Sequence, residues 1–456
     1  MQSRQHSDGQ ANLPIQDPHF FLAVHIGAGR HSHKMEQRYK EEMKLACHKG
    51  AEALRREGVA LDAVVAAIAA LEDSPICNAG AGSNLTVGGR VECDASVMAG
   101  NGAFGAVGTV SGIKNPVAAA ALLASQSREP MLLQRVRPML LAGDRAREWA
   151  LEQGLDAAHS ADAAGQMHVT AASKRRWLKF QTMLQTANEA AATVRSTSAC
   201  QDESSNRQAA KRQRRMRQDT AGVMLGQPAA EDLLKDEECF ALDTVGAVCV
   251  DASGHVASGV SSGGIALKVD GRVGEAAVYG CGCFAKDPQG DRLGGACSVT
   301  GVGEAIMRAG LARAVAAQLS CSSDLAVDSL CEAAIRDSIL DGQPAALTCP
   351  HKDCGILGVR VRSSGCASQA PPSQLGIRAE RKCTDAAVQS DNGEMTRHID
   401  VELGVSCNSH SMGFAFMHTG MRTPNCMVLR QNSGAEGCSH DYEAFCCFGS
   451  QHNWAA

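Results

Sequence analysis

Apolar positions fall in short blocks whose period changes along the chain. Phe20–Gly29, "FFLAVHIGAG", is a continuous apolar run ending in glycines, which predicts a buried strand entering a tight loop. "MEQRYKEEMKLACHKGAEALRREG" spaces its apolar residues by three and four and stops at Gly58, predicting a helix. "ALDAVVAAIAALEDSP" predicts a second, with Asp62 in the first turn, where it complements the helix dipole, and Pro75 beyond the end. From Asn78 to Met98 glycine turns alternate with strand-like stretches. "GAFGAVGTVSGIKNPVAAAALLAS" then predicts a strand, a turn at Asn115-Pro116 and another helix.

From about Glu129 to Glu238 the pattern is polar and helical, and the apolar strand pattern returns abruptly at Thr244. "TVGAVCVD" and "VASGVSS" predict successive strands joined by the turn "ASGH". "GGIALKVDGRVGEAAVYGCGCFAKD" reads as a loop, and "SVTGVGEAIMRAGLARAVAAQL" as a turn into a helix. Gly355–Arg362 predicts a strand that closes this half. A polar insertion follows at about 366–397, and "MGFAFMHTG" predicts a last edge strand. No internal repeat is visible.

Composition narrows the class. A length of 456 residues suffices for a sizeable core, and 44% hydrophobic with 4% aromatic residues means a core of Ala, Val, Leu and Ile. A net charge of −5 excludes a polyanion binder acting through its whole surface, so any basic patch is local. That patch is Arg207, Lys211, Arg212, Arg214, Arg215 and Arg217, with Lys174-Arg175-Arg176 upstream. Two readings stay open: a solvated linker, or an import signal in segment 207–217 read by importin. The absence of interleaved aromatics argues against nucleic acid. The N-terminus lacks an apolar signal-peptide core, and no run reaches the ~18 apolar residues of a membrane span. The 20 cysteines are therefore expected as reduced core thiols in an intracellular protein, with no membrane contact. Cys349, His351 and Cys354 form one isolated cluster, short of the four ligands of a structural zinc. No metal and no cofactor are expected.

The chemistry concentrates at Asp243-Thr244. Asp243 alone would be ordinary punctuation before a strand. Yet a hydroxyl residue opening a core strand after a long polar segment is laid out like a processing site. Cleavage before Thr244 would free an α-amine with an ordinary pKa of ~7.7–8.0, so one residue would supply nucleophile and base together.

"HIGAGRHS", "LDAVVAAIAALEDSP", "NAGAGSNL", "TVGAVCVDASGHVASGVSSGG", "GRVGE" and "TGVGE" together resemble, in order, the blocks of the type 2 asparaginase family of N-terminal nucleophile hydrolases. The similarity covers roughly Phe20–Leu123 and Leu242–Val361. Asp before the threonine, "GRVGEAAVYGCGCFA" and the long basic segment are closer to its threonine aspartase (taspase) branch of nuclear endopeptidases that cut after aspartate. The resemblance implies an α+β fold, a four-layer αββα sandwich. It implies an α fragment (1–243, with the basic helical linker at about 129–238) and a β fragment (244–456) in one catalytic domain. Two such αβ pairs would assemble as a dimer of heterodimers.

By position, Thr244 is the expected nucleophile, Ser262 its tuning hydroxyl, and Thr300 with the Gly301 N–H the oxyanion-stabilising pair. Arg272 is expected to hold the substrate aspartate by a bidentate pair, Glu275 to contact substrate and Gly303 to line the pocket. Gly82, Ser83 and Asn84 lie in a block that holds an ion in related enzymes; no metal is assigned here. The implied substrates are proteins with an exposed Asp-Gly-type bond, in the nucleus and cytoplasm. Two alternatives remain: an L-asparaginase or isoaspartyl peptidase, kept open by the carboxylate at Glu275, and a catalytically silent nuclear binding protein of the same fold.

Overall fold

The computed structural model describes residues 19–199, 244–321, 324–342, 352–364, 397–430, 443–448 and 452–454. Asp243, the basic segment 207–217, Cys349, His351 and the insertion at about 366–397 lie outside these residues.

The apolar run at the start is strand β1 (Phe21–Gly29), buried at every position. Helices α1 (Glu36–Glu57) and α2 (Ala60–Glu72) follow. Gly58 ends α1 with φ 71°, a left-handed cap that an L side chain resists. The N-terminus of α2 is met from a distance: its first N–H, on Ala60, donates to the Asp251 carboxylate at 3.2 Å. Asp251 also accepts from the N–H groups of Ser253 and His255, so one aspartate shapes the "ASGH" turn and caps a helix.

Strands β2 (Cys93–Ala99) and β3 (Phe104–Val110), helix α3 (Pro116–Gln126) and the short β4 (Leu140–Ala142) come next, then α4 (Gly143–Glu152), α5 (Ala161–Gln166) and α6 (Ala171–Ala199). The second half supplies β5 (Val245–Val250), β6 (Val256–Ser262), β7 (Cys283–Lys286) and β8 (Gly294–Gly301). Helices α7 (Gly303–Ala309), α8 (Leu311–Leu319) and α9 (Val327–Ile335) precede β9 (Cys354–Ser364), β10 (Arg397–Cys407), β11 (Ser411–His418), β12 (Asn425–Arg430), β13 (Glu443–Phe448) and β14 (His452–Trp454).

Eight strands form one sheet in the order β12-β11-β1-β5-β6-β2-β3-β4, and a second runs β13-β10-β9-β8-β7, with β14 also paired to β10. Helices α1 and α2 cover the outer face of the first sheet, where Met43, Leu54, Val64 and Ile68 pack on Leu22, Val24 and Ala247. Phe21, Val248, Val260, Leu357, Leu403 and Phe414 fill the space between the sheets. Helices α7 to α9 cover the second sheet through Ile306, Leu311, Val315 and Leu330. The result is the four-layer αββα sandwich of an α+β protein.

Local expectations needed correction in three places. "MGFAFMHTG" is not an edge strand: β11 pairs with β1 on one side and β12 on the other. The strand expected at Gly355–Arg362 is present as β9, between β8 and β10. The stretch read as one loop contains β7, and the helix after β8 is two helices split by Gly310, whose φ is 56°. Cys47, Cys93, Cys249, Cys283 and Cys297 are free and buried, behaving as small apolar residues. Among the described residues no helix is long and apolar enough to cross a membrane, and no group of three or more His, Cys, Asp or Glu could hold a metal ion.

Candidate active site

Strand alternation decides which way each hydroxyl faces. Val245 belongs to the core under the helices, so Thr244, one residue earlier, points to the opposite face, between the sheets. Ser261 sits opposite Val245 and shares its face, bonding the Glu72 carboxylate of α2 at 2.6 Å, so Ser262 turns back toward Thr244. The Thr244 Oγ1 is 3.0 Å from Ser262 Oγ and 3.0 Å from Glu275 Oε1. Thr244, Ser262 and Glu275 are all buried. Ser262 Oγ also accepts the Gly264 N–H at 3.0 Å, which fixes its lone pair.

The loop after β6 carries Arg272 and Glu275 and is tied to the first half of the chain. Asp94 on β2 accepts the N–H groups of Gly274 and Thr109, each at 2.8 Å, and Asp270 accepts the Thr86 hydroxyl at 2.6 Å. The buried Lys268 donates to the Glu92 carbonyl at 2.6 Å. Burial pushes the Glu275 carboxyl pKa up, and the Arg272 guanidinium pulls against it.

Arg272 already has a partner. Its Nε and Nη2 donate to the two carboxylate oxygens of Glu304 at 2.9 and 2.7 Å, a fork-to-fork ion pair. Burial works against the charge on Arg272, but Glu304, Glu275 and Asp94 outweigh it and raise its pKa. Gly303 lies between these groups. A Cβ there would come 2.5 Å from Glu275 Oε2 and 2.8 Å from Arg272 Nη2, so only glycine leaves both in place.

Asn78, Thr244, Ser262, Gly264, Ile265, Arg272, Glu275 and Gly301 line one pocket. It encloses about 10 Å³, on the scale of a single water. Of the residues expected from sequence, Thr244, Ser262, Arg272, Glu275 and Gly301 meet here, with Gly303 against the rear of the carboxylate. Thr300 does not line the pocket: its Oγ1 accepts the Ala28 N–H at 3.2 Å.

Sequence reasoning assigned no role to Asn78, Asp94, Glu304 or His25. Asn78 Nδ2 donates to the Gly264 carbonyl at 2.9 Å, and its Oδ1 accepts the Asn84 N–H at 2.8 Å. This bracket holds the 78–84 loop against the strand end bearing Ser262. His25, opposite Gly246 in the β1–β5 pair, is 2.8 Å from Ser298 Oγ of the second sheet. Burial lowers its pKa to about 3, with the Thr244 backbone pulling the other way, so the ring is neutral. Gly246 admits this contact, because a Cβ there would lie 2.0 Å from Ser298 Oγ. Asn78 and His25 fall in the "NAGAGSNL" and "HIGAGRHS" blocks, which were a usable signal. Glu304 likewise ends the "TGVGE" block and Asp94 lies in "ECDASVM", so the same kind of signal covered them.

A buried threonine opening a strand, a second hydroxyl and a carboxylate within reach of it, and an αββα sandwich around them define an N-terminal nucleophile hydrolase architecture. Residues 18–342 match the asparaginase family. An isoaspartyl peptidase/L-asparaginase of Xenopus laevis is 32% identical over 295 residues, covering 64% of this chain and 74% of that protein. The isoaspartyl peptidase of Escherichia coli K12 is 28% identical over 339 residues, covering 73% and 87%. A Homo sapiens isoaspartyl peptidase/L-asparaginase is 32% identical over 288 residues, covering 63% and 72%. The chain belongs to the type 2 asparaginase family of N-terminal nucleophile hydrolases.

Proposed function

We propose that the chain is a threonine endopeptidase that cuts itself at Asp243–Thr244 and then hydrolyses proteins after aspartate. The observation carrying this reading is that Thr244, preceded in the chain by Asp243, lines one pocket with the Arg272 guanidinium. A site that first cuts after its own aspartate must accept that side chain, and Arg272 is the cation beside the nucleophile. After the cut, the α-amine of Thr244 serves as base and the hydroxyl as nucleophile, with Ser262 orienting it. The Gly301 N–H, at the pocket wall, is the candidate oxyanion donor, while Thr300, expected beside it, lies outside the pocket. The pocket's small volume and the Glu304 grip on Arg272 fit a closed precursor that must rearrange to admit substrate. Residence in nucleus and cytoplasm, importin reading of 207–217 and a dimer of αβ pairs belong to the same proposal and rest on sequence alone.

A second reading is favoured by the relatives' names and by the presence of Arg272 and Glu275 in one pocket. A guanidinium and a carboxylate in one pocket complement the carboxylate and ammonium of a free amino-acid head group, as an isoaspartyl peptidase or L-asparaginase requires. Intact mass and N-terminal sequencing come first. Wild type should give a fragment beginning Thr-Val-Gly-Ala, while Thr244→Ala stays whole; an uncut wild type would favour a silent binding protein. The processed enzyme is then offered an internal Asp-Gly peptide, an isoaspartyl dipeptide and asparagine. The endopeptidase reading expects cleavage of the first. Turnover of the other two alone would replace it with the amidohydrolase.

A further inference from the structure

We propose that Glu275 is the general base of the self-cleaving step, accepting the Thr244 hydroxyl proton before any α-amine exists. The inference rests on the reading of Thr244 as a future N-terminal nucleophile, and it addresses a gap in that reading. While Asp243 and Thr244 are joined, the Thr244 nitrogen is an amide, and an amide nitrogen is no base. The group that activates the hydroxyl in the processed enzyme is therefore absent from the first turnover.

The geometry supplies a substitute. Among the described residues, two side chains bond the Thr244 hydroxyl, Ser262 and Glu275. A serine hydroxyl is about as weakly acidic as the threonine it would deprotonate, so Ser262 cannot take the proton, and its oxygen already accepts from Gly264. His25 faces the backbone of Thr244 rather than its hydroxyl, and a ring with a pKa of about 3 is too weak a base. Lys268 donates to the Glu92 carbonyl. Among the described residues that leaves the Glu275 carboxylate at 3.0 Å, a distance at which a proton transfers directly. Its position is set by the turn Glu275–Ala277, by the Gly274 bond to Asp94 and by the missing Cβ of Gly303. Burial strengthens it as a base, while Arg272 keeps its ionised form accessible.

In the step itself Glu275 takes the hydroxyl proton as Thr244 Oγ1 adds to the Asp243 carbonyl carbon. The tetrahedral adduct collapses with loss of the C–N bond, and the departing nitrogen receives the proton back from Glu275. An ester now joins the Asp243 acyl group to Oγ1. One water hydrolyses it, yielding the Asp243 carboxylate, the Thr244 hydroxyl and the free amine. Glu275 is then released to meet substrate.

The test follows self-cleavage of the full chain by intact mass at pH 5 to 9 in wild type, Thr244→Ala, Glu275→Gln, Glu275→Asp and Glu275→Ala, the last with and without formate. Loss of a general base typically costs about 10²–10⁴-fold. Glu275→Gln should slow cleavage by about that factor and lose the limb on which the wild-type rate rises as a carboxyl ionises. Arg272, Asp94, Thr244 and the thiols of Cys281 and Cys354 face this group and set where that limb falls. Glu275→Asp should retain part of the rate, and formate should partly restore Glu275→Ala. Cleavage of Glu275→Gln within a few-fold of wild type, with an unchanged pH profile, overturns the proposal but leaves the nucleophile reading standing. Loss of cleavage that neither aspartate nor formate restores makes Glu275 structural and also overturns it. A wild-type chain that never cuts sinks both readings.

Discussion

Glu72 and Glu275 are two buried carboxylates with different company. Glu275 has Arg272 beside it, whereas Glu72, among the described residues, meets Ser261 Oγ and the Val117 N–H through one oxygen and no cation. Burial accordingly raises the Glu72 pKa to about 8 from 4.5, the hydrogen bonds from Ser261 and Val117 opposing only in part. The folded state then binds a proton that the unfolded state has released, so stability falls as pH rises from about 4.5 toward 8. Each pKa unit is worth about 1.4 kcal/mol, so the loss is on the order of a few kcal/mol. Glu72→Gln cannot ionise, and its melting temperature should decline less over pH 5 to 8, by several degrees. Other raised carboxyls, Asp94 and Asp251 among them, are common to both proteins and cancel in the comparison. Parallel melting curves across that range would show that Glu72 is not protonated in the fold. The sequence marks Glu72 only as a charge near a helix end; its burial follows from where β6 and α3 pack.

Helix patterns were readable because three-and-four spacing is local, and α1, α2 and α3 lie where it put them. Strand neighbours were not readable to the same degree. The β11 run looked like an edge because it comes late in the chain, yet its partner β1 is the first strand. Pairing across such a separation leaves no local mark. Glu304, which grips Arg272, is another case, for nothing in the sequence between them records the contact. Helix α6 extends this lesson to the polar segment read as a linker. Trp177 Nε1 donates to the Thr86 carbonyl at 2.9 Å, Arg176 to the Gly82 carbonyl at 3.1 Å and Gln181 to the Val87 carbonyl at 2.8 Å. One helix face thus holds the loop between α2 and β2, which in turn brackets Ser262 and the Arg272 loop. Trp177→Ala removes a hydrogen bond and the ring packed on Gly89, where a Cβ would lie 3.2 Å from it. Amide exchange at 82–91 should accelerate by about 10-fold or more, matching about 1.4 kcal/mol or more of local stability, with the sandwich core unchanged. Unaltered exchange in that loop would mean α6 merely rests on it.

At the scale of the whole molecule, the bond before Thr244 divides the sequence but not the sheet. Residues before it supply β1 to β4 and residues after it the remaining strands, in the order β12-β11-β1-β5-β6-β2-β3-β4. Strand β1 is therefore inserted between two strands of the other portion, and β2 pairs with β6 across a third such seam. The core beneath the helices likewise mixes Leu22 and Val64 with Val245 and Ala415. Cutting one peptide bond removes none of these contacts, so the two fragments should elute together in native buffer and part only in denaturant. Thermodynamics gives a sharper readout than co-elution. Unfolding of an uncut chain releases one chain per αβ unit, so its midpoint depends on protein concentration only through the proposed dimer. Once the bond is cut, unfolding releases two chains, and mass action makes the midpoint rise with concentration. The midpoint of fully processed protein should therefore rise more steeply than that of Thr244→Ala, by several degrees more across a hundredfold increase in concentration. A processed form no more dependent on concentration than Thr244→Ala would mean that the fragments remain joined through unfolding, and the seams between β1, β5, β11, β2 and β6 would not be what holds them.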